Sequence, residues 1–298
     1  MILASSGALA LAGLLHLAAR AAIRRGFRAP RLPHLTTPDA LGLPAREVSI
    51  VTTNQKKLFG WLIAAPSGLP APTVLVMHGW GANAALMLPA ARPLHAAGYA
   101  VLLLDARCHG RSDDDSFSSL PRFAEDVKHA LDWLAHQPAV DPQRIALLGH
   151  SVGAGAVLLA AARRHEVAAV VSVSAFFHPR EVMRRLLRSH HLPWIPVGGY
   201  VTSQVQQMIG HRFDAIAPER SITQVACPVL LAHGREDALV PFDDARRLLA
   251  AGLQAGQQVT LLPLDGGHEA SEALLRHEVG LLSFLAQAFG ERRRKADA

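Results

Sequence analysis

Cysteine is scarce in this 298-residue chain, which has 2, Cys108 and Cys227. Two thiols cannot build a disulfide framework, and their spacing fits no zinc pattern. Aromatic residues make up 5% and charged residues 18%, whereas hydrophobic residues make up 50%, which excludes a solvated, disordered chain. There is no internal repeat of solenoid length, and collagen, coiled coil and multi-span membrane protein all fail on composition. No H-E-x-x-H occurs, and His190 and His191 are adjacent, a poor spacing for one helix face. No metal site is expected. The glycines around residues 149–155 match neither a dinucleotide nor a phosphate-loop fingerprint, so no cofactor is implied.

Acidic residues are missing from positions 1–31, where Arg20, Arg24, Arg25, Arg28 and Arg31 stand unopposed. At the other end Arg292, Arg293, Arg294 and Lys295 face only Asp297. Between the two, acids and bases nearly balance, so the net charge of +6 belongs to the ends. Nucleic-acid binding is not expected, because it needs a basic patch on the folded body.

No charge interrupts Ile2 to Ala19, and no Lys or Arg precedes Arg20. A helix of that run reaches ~27 Å, just short of the ~30 Å hydrocarbon core. Basic residues after the apolar run would hold the following domain on the cytoplasmic side. The expectation is a membrane anchor through residues 2–23, inside an apolar segment with a basic flank at 1–29. The alternatives are a helix lying on membrane or protein, a cleaved signal, or a plain cytoplasmic protein. Pro30, Pro33, Pro38 and Pro44 mark residues 30–45 as a linker. A domain over 46–290 and a basic tail over 291–298 follow.

Within the body, short β-like runs alternate with helical stretches. Residues 47–53 and 58–64 flank Asn54-Gln55-Lys56-Lys57 and read as an antiparallel hairpin. Runs at 73–77, 100–104, 144–148, 167–173, 229–232 and 259–262 are mostly continuous and apolar, as in parallel strands covered on both faces. Phe123, Val127, Ala130, Leu131 and Leu134 form the apolar stripe of a helix over 123–136. This alternation predicts an α/β fold with a doubly wound, mostly parallel sheet. Residues 175–226 are too long for a plain loop. They gather Phe176, Phe177, Trp194, Tyr200 and Phe213 with Arg180, Arg184, Arg185, Arg188 and Arg212, and read as a small helical cap between two core strands.

Gly149-His150-Ser151-Val152-Gly153 follows the run at 144–148 and precedes a helical stretch at 154–164. Small residues on either side of Ser151 suit the sharp turn that lifts a serine hydroxyl above a sheet. A serine hydroxyl is a poor nucleophile at neutral pH and needs a base, which in turn needs an orienting carboxylate. Val152 N–H, at the start of the next helix, is one expected oxyanion donor.

In these motifs the chain resembles the α/β-hydrolase superfamily, over roughly residues 46–290. The resemblance rests on five ordered features: His78-Gly79-Trp80-Gly81, Asp105–Ser112, Gly149–Gly153, His233–Asp237 and His268. It implies the order Ser151, Asp237, His268 for a catalytic triad, and Trp80 N–H as the second oxyanion donor. Glu236 is the competing acid, and Asp237 could also serve a turn. Asp243 and Asp244 read as helix-start residues, and His277 falls inside a predicted helix. Asp105 and Arg107, in a D-x-R-x-H-G-x-S loop, take a structural role. Cys108 and His109 have nothing to orient them as a nucleophilic pair.

The implied activity is a serine hydrolase acting on a small-molecule carboxylic ester or thioester through an acyl-enzyme. The cap residues Phe176, Trp194 and Tyr200 are candidates for substrate binding. Two rivals remain: a serine aminopeptidase-like peptidase, and a non-catalytic binding protein that keeps the fold.

Overall fold

A computed structural model describes residues 2–269 and 271–296. Eight strands form one sheet: β1 (Ala45–Val51), β2 (Lys57–Ile63), β3 (Ala71–Met77), β4 (Ala100–Leu104), β5 (Val140–His150), β6 (Ala169–Val173), β7 (Val229–Gly234) and β8 (Val259–Leu264). Their order is β1-β2-β4-β3-β5-β6-β7-β8. β1 and β2 form an antiparallel hairpin, β2 pairs antiparallel with β4, and the remaining pairs are parallel. The hairpin and every strand run foreseen in the sequence are present, with shifted ends.

The helices are α1 (Ile2–Gly26), α2 (Leu88–Ala96), α3 (Leu120–Leu134), α4 (Val152–Ala161), α5 (Pro179–Ser189), α6 (Gly199–Ile209), α7 (Phe213–Ile216), α8 (Pro218–Ile222), α9 (Phe242–Gln254), α10 (Ser271–Arg276) and α11 (Glu278–Ala296). Two apolar clusters cover the two faces of the sheet. One packs Phe123, Val127 and Leu131 of α3, the whole inner length of α4, and Leu248 of α9 against Leu75, Leu102, Leu147 and Val170. The other packs Leu88 and Leu94 of α2 with Leu281, Leu285 and Phe289 of α11 against Val76, Leu103, Leu148 and Val171. Alternate residues of one strand thus feed opposite layers, which is why these strands read as unbroken apolar runs. Each fully buried Leu, Val or Phe contributes about 1.5–3 kcal/mol of transfer free energy.

The chain leaves β3 toward β4 on one side and reaches β5 on the other, so strand order reverses at β3. Such a reversal opens a crevice at the carboxyl ends of the strands. Met77 lies opposite Gly149 in the β3–β5 register, which brings the residues after both strands together at that crevice.

At the periphery the anchor expectation is not supported, and the linker and tail make defined contacts. Among the described residues no helix is long and apolar enough to cross a membrane, so the anchor expected through residues 2–23 is not supported. The first part of that run, residues 2–12, lies outside the residues whose side chains are described. The later part of α1 touches the protein along one side, where His16 Nδ1 and the Tyr200 hydroxyl of α6 are 2.9 Å apart. Ile23, with Phe27 just past the helix, packs on the main core, while Leu14, Leu15 and Leu17 stay exposed. The start of the expected linker is pinned, because Asn83 Nδ2 donates to the carbonyls of Leu32 and Pro33, and Arg31 donates to those of Gly110 and Ser112. The expected basic tail continues α11 to Ala296, with Arg292 donating to the carbonyls of His165 and Glu166. Residues 297–298 lie outside the described residues.

Candidate active site

Ser151 stands between β5 and α4 with φ 54° and ψ −117°, a left-handed conformation that L-residues rarely adopt. The surrounding glycines make the turn possible. A Cβ on Gly149 would lie 2.3 Å from the Gly153 carbonyl oxygen, and a Cβ on Gly153 would lie 2.3 Å from that of His78. Backbone therefore packs on backbone at both positions. Ser151 remains partly exposed while its own N–H is tied to the Val173 carbonyl.

His268 Nε2 lies 3.0 Å from Ser151 Oγ, and His268 Nδ1 lies 2.8 Å from Asp237 Oδ2. Three residues far apart in sequence thus form one hydrogen-bonded line. The carboxylate dictates the tautomer: it can only accept, so Nδ1 carries the hydrogen and Nε2 is free to accept from the hydroxyl.

Asp237 is buried, and its other oxygen accepts the N–H groups of Leu239 and Val240. Burial alone would raise its pKa. Hydrogen bonds from His233, His268 and Val240 N–H outweigh that and hold the carboxyl below its ordinary range. Glu236 is exposed, and its N–H donates to the Gly266 carbonyl. Asp237 therefore both shapes its turn and faces the imidazole.

The loops carrying the acid and the imidazole touch directly: a Cβ on Gly234 would stand 2.4 Å from the carbonyl oxygens of Gly266 and Gly267.

The Gly79–Trp80 loop lies against the serine, since a Cβ on Gly79 would sit 3.1 Å from Ser151 Cβ. Buried histidines orient it. His78 Nε2 accepts Ala106 N–H, so Nδ1 carries the hydrogen and donates to the Gly79 carbonyl at 2.6 Å. In a trans peptide this aims Trp80 N–H the opposite way. His109 Nε2 accepts Gly81 N–H, and its Nδ1 donates to the Arg107 carbonyl. Burial pushes His78 down to about 4 and also lowers His109, so both rings stay neutral as these bonds require. Val152 opens α4, where a helix leaves its first N–H groups without an internal partner.

Beneath this loop Asp105 accepts the N–H groups of Ala84 and Arg111 and a hydrogen from His34 Nε2. Arg107 is buried and bonded to Asp126, Glu125 and Asp115. Cys108 Sγ hydrogen-bonds to the backbone of Asp115 and Phe117.

Two residues at the site escaped the sequence reading. His150 Nε2–H donates to the His268 carbonyl at 2.9 Å, and Ser174 Oγ–H donates to the same oxygen at 3.3 Å. Both side chains are buried, and Ser174 holds φ at +55° just past β6. His150 sits inside the quoted motif, so its position was visible. Its partner depends on the β5–β6–β7–β8 register and was not.

The three cap residues proposed as substrate contacts are engaged elsewhere. Phe176 is buried in the main core, Trp194 packs on Gly198 below the Arg184 guanidinium, and Tyr200 turns to His16. Partly exposed apolar groups at the serine are Trp80 and Val152. Asp244 does sit in the first turn of α9, buried, but it is spent on the cap: it accepts both Arg185 Nη atoms at 3.0 Å and Phe177 N–H at 3.2 Å. His277 lies in the turn between α10 and α11 rather than inside a helix.

Fold and site together define an α/β hydrolase. A family model described as serine aminopeptidase, S33, matches residues 68–217, and the chain belongs to that family. An uncharacterized protein of Mycobacterium tuberculosis is 34% identical over 233 residues, covering 78% of this chain and 75% of its own. YfhR of Escherichia coli is 26% identical over 231 residues, covering 75% and 73%. Among solved structures, an esterase of Pyrococcus furiosus superimposes with a TM-score of 0.72 at 23% identity, covering 88% of this chain and 97% of that one.

Proposed function

We propose that the protein is a serine hydrolase that cleaves carboxylic esters or thioesters. The observation carrying this reading is the His268 imidazole bridging Ser151 Oγ and Asp237 Oδ2. In the proposed reaction His268 Nε2 takes the Ser151 proton as Oγ attacks the carbonyl carbon. Trp80 N–H and Val152 N–H receive the developing oxyanion. His268 then gives its proton to the leaving alcohol or thiol, and the acyl group stays on Ser151. Water, deprotonated by the same imidazole, attacks the acyl-enzyme and releases the acid. Asp237, held ionised, keeps the tautomer and stabilises the transient imidazolium.

The family description favours a second reading, a peptidase that removes amino-terminal residues. Such an enzyme needs a free carboxylate to receive a substrate ammonium. The cap acids already have partners: Glu181 binds Arg247 through both oxygens, Asp214 meets His178 and Arg180, and Glu219 lies 3.7 Å from His178 Nε2. This supports ester over amino-terminal amide cleavage.

The test is turnover of p-nitrophenyl esters against aminoacyl p-nitroanilides, with fluorophosphonate labelling of parent and Ser151→Ala. Ester hydrolysis is expected to fall by roughly 10³–10⁶-fold in the variant, with labelling abolished. Equal turnover by the variant would overturn the reading, and preferential anilide cleavage would select the peptidase. A non-catalytic binding protein would neither label nor turn over.

A further inference from the structure

Residues 27–34 are stitched to the candidate site. The Phe27 carbonyl accepts Ser118 N–H at 3.0 Å. Pro30 fills the space beside Gly81, where a Cβ would meet its Cγ at 2.9 Å. Arg31 Nη1 donates to the carbonyls of Gly110 and Ser112, both at 2.8 Å, and His34 donates to the buried Asp105. Together these contacts span the loops after β3 and β4.

They also hold one aromatic side chain beside the proposed oxyanion donor. The Phe27 ring stands edge-on to Trp80, with centroids 6.1 Å apart and planes at 83°. Ile23 and Phe27 pack on the same apolar cluster as Val152, and so do Val182 and Met183 of the cap. Phe27, Trp80 and Val152 are all partly exposed. Half-covered apolar groups beside a polar reacting centre are what receives the apolar part of a substrate.

We propose that Phe27 and Ile23 form a wall of the acyl-binding site, so that the N-terminal segment sets the acyl length accepted. The proposal rests on the ester-hydrolase reading. The substrate class it implies is an ester with a straight-chain acyl group of medium length, lying along the apolar face that Phe27 and Trp80 form together. A wall made by a separate, pinned segment supports the far part of the acyl chain without altering the groups that perform the chemistry.

The experiment uses the full chain with Phe27→Ala and Phe27→Trp. kcat/KM is measured on p-nitrophenyl esters from acetate to decanoate, and decanoate binding is measured by calorimetry. Phe27→Ala is expected to lower kcat/KM on octanoyl and decanoyl esters and decanoate affinity by about tenfold, leaving acetate within about twofold. Phe27→Trp is expected to shift the optimum to shorter chains, and it guards against a folding defect in the alanine variant. An unchanged length profile, a uniform loss at every length, or a uniform gain that makes Phe27 a plug would each overturn the wall. The hydrolase reading fails separately, if the parent neither labels with fluorophosphonate nor hydrolyses any ester. Decanoate affinity unaltered by both variants would then overturn the wall without reference to turnover.

Discussion

The imidazole of His268 is placed from two directions. Its ring is held by Asp237, and its own carbonyl is held by His150 and Ser174. The second hold matters because His268 follows Gly266 and Gly267, a stretch with little side-chain packing to fix it, and Gly266 has φ +109°. Burial pulls His150 below the ordinary imidazole range, so it stays neutral and Nε2 remains a donor to a single acceptor. In the proposed reaction both are positioning residues: Ser174 acts through the backbone of His268, and His150 through that backbone and through a ring contact with centroids 5.1 Å apart. Ser174→Ala and His150→Phe should each lower kcat on a short ester by about 3–30-fold with KM nearly unchanged, since displacement of a reacting group costs rate rather than binding. His150→Gln, which can still donate, should recover part of the loss. A change in KM alone, or no rescue by Gln, would count against this role.

At the scale of elements, the site is a set of loops at the carboxyl ends of β3, β5, β7 and β8, and a cap tied down by charge. Arg185 of α5 reaches the buried Asp244 of α9, and Glu181 joins Arg247, whose guanidinium lies 3.8 Å over the Phe177 ring. The exposed members of this network contribute little through screened charge alone. The Arg185–Asp244 pair differs, because its carboxylate is 2% exposed and loses its bidentate partner if Arg185 is removed. Arg185→Ala should therefore destabilise the fold by about 1–2 kcal/mol in urea unfolding. An unshifted midpoint would mean that water replaces the guanidinium without penalty.

Across the whole molecule, buried neutral histidines make stability depend on pH. His78, His109 and His150 all have pKa values lowered in the first place by burial, His78 to about 4 from an ordinary 6.5. As pH falls below 6.5 the unfolded chain takes up protons that the folded form refuses, so the unfolded state binds more of them. The contribution of these three rings is complete above about 6.5 and declines as pH drops toward 4, with His78 alone accounting for about 3 kcal/mol over that window. Asp126, raised to about 6 by burial, opposes part of the decline. Denaturant unfolding at pH 7 and pH 5 checks the sign, and His78→Asn should flatten the difference. Equal stability at the two values would show that these rings are not excluded from protonation.

Local pattern was enough for much of this protein. Short apolar runs rich in β-branched residues and bounded by turn signals fit strands covered on both faces, although the equally apolar run Val152–Ala161 is a helix. Gly149 and Gly153 around Ser151 mark a turn where a Cβ would clash. The motifs after those strands, through the family resemblance, singled out Ser151, Asp237 and His268, whose side chains lie within hydrogen-bonding distance in the structure. What needed the tertiary structure was every question of partner. Asp237 rather than Glu236 meets the imidazole because the loop packs backbone to backbone at Gly234 and turns one carboxylate inward. Phe176, Trp194 and Tyr200 share an aromatic segment, yet one enters the core, one lies under an arginine and one bonds to α1. The N-terminal run reads as lipid-facing because hydropathy does not say what a helix touches; here His16 meets α6 and Ile23 the core, while Leu14, Leu15 and Leu17 remain exposed. Periodicity and glycine placement report short-range sterics and are written in neighbouring residues. Pairings across a hundred residues are set by sheet register and loop packing, which no single stretch of sequence carries.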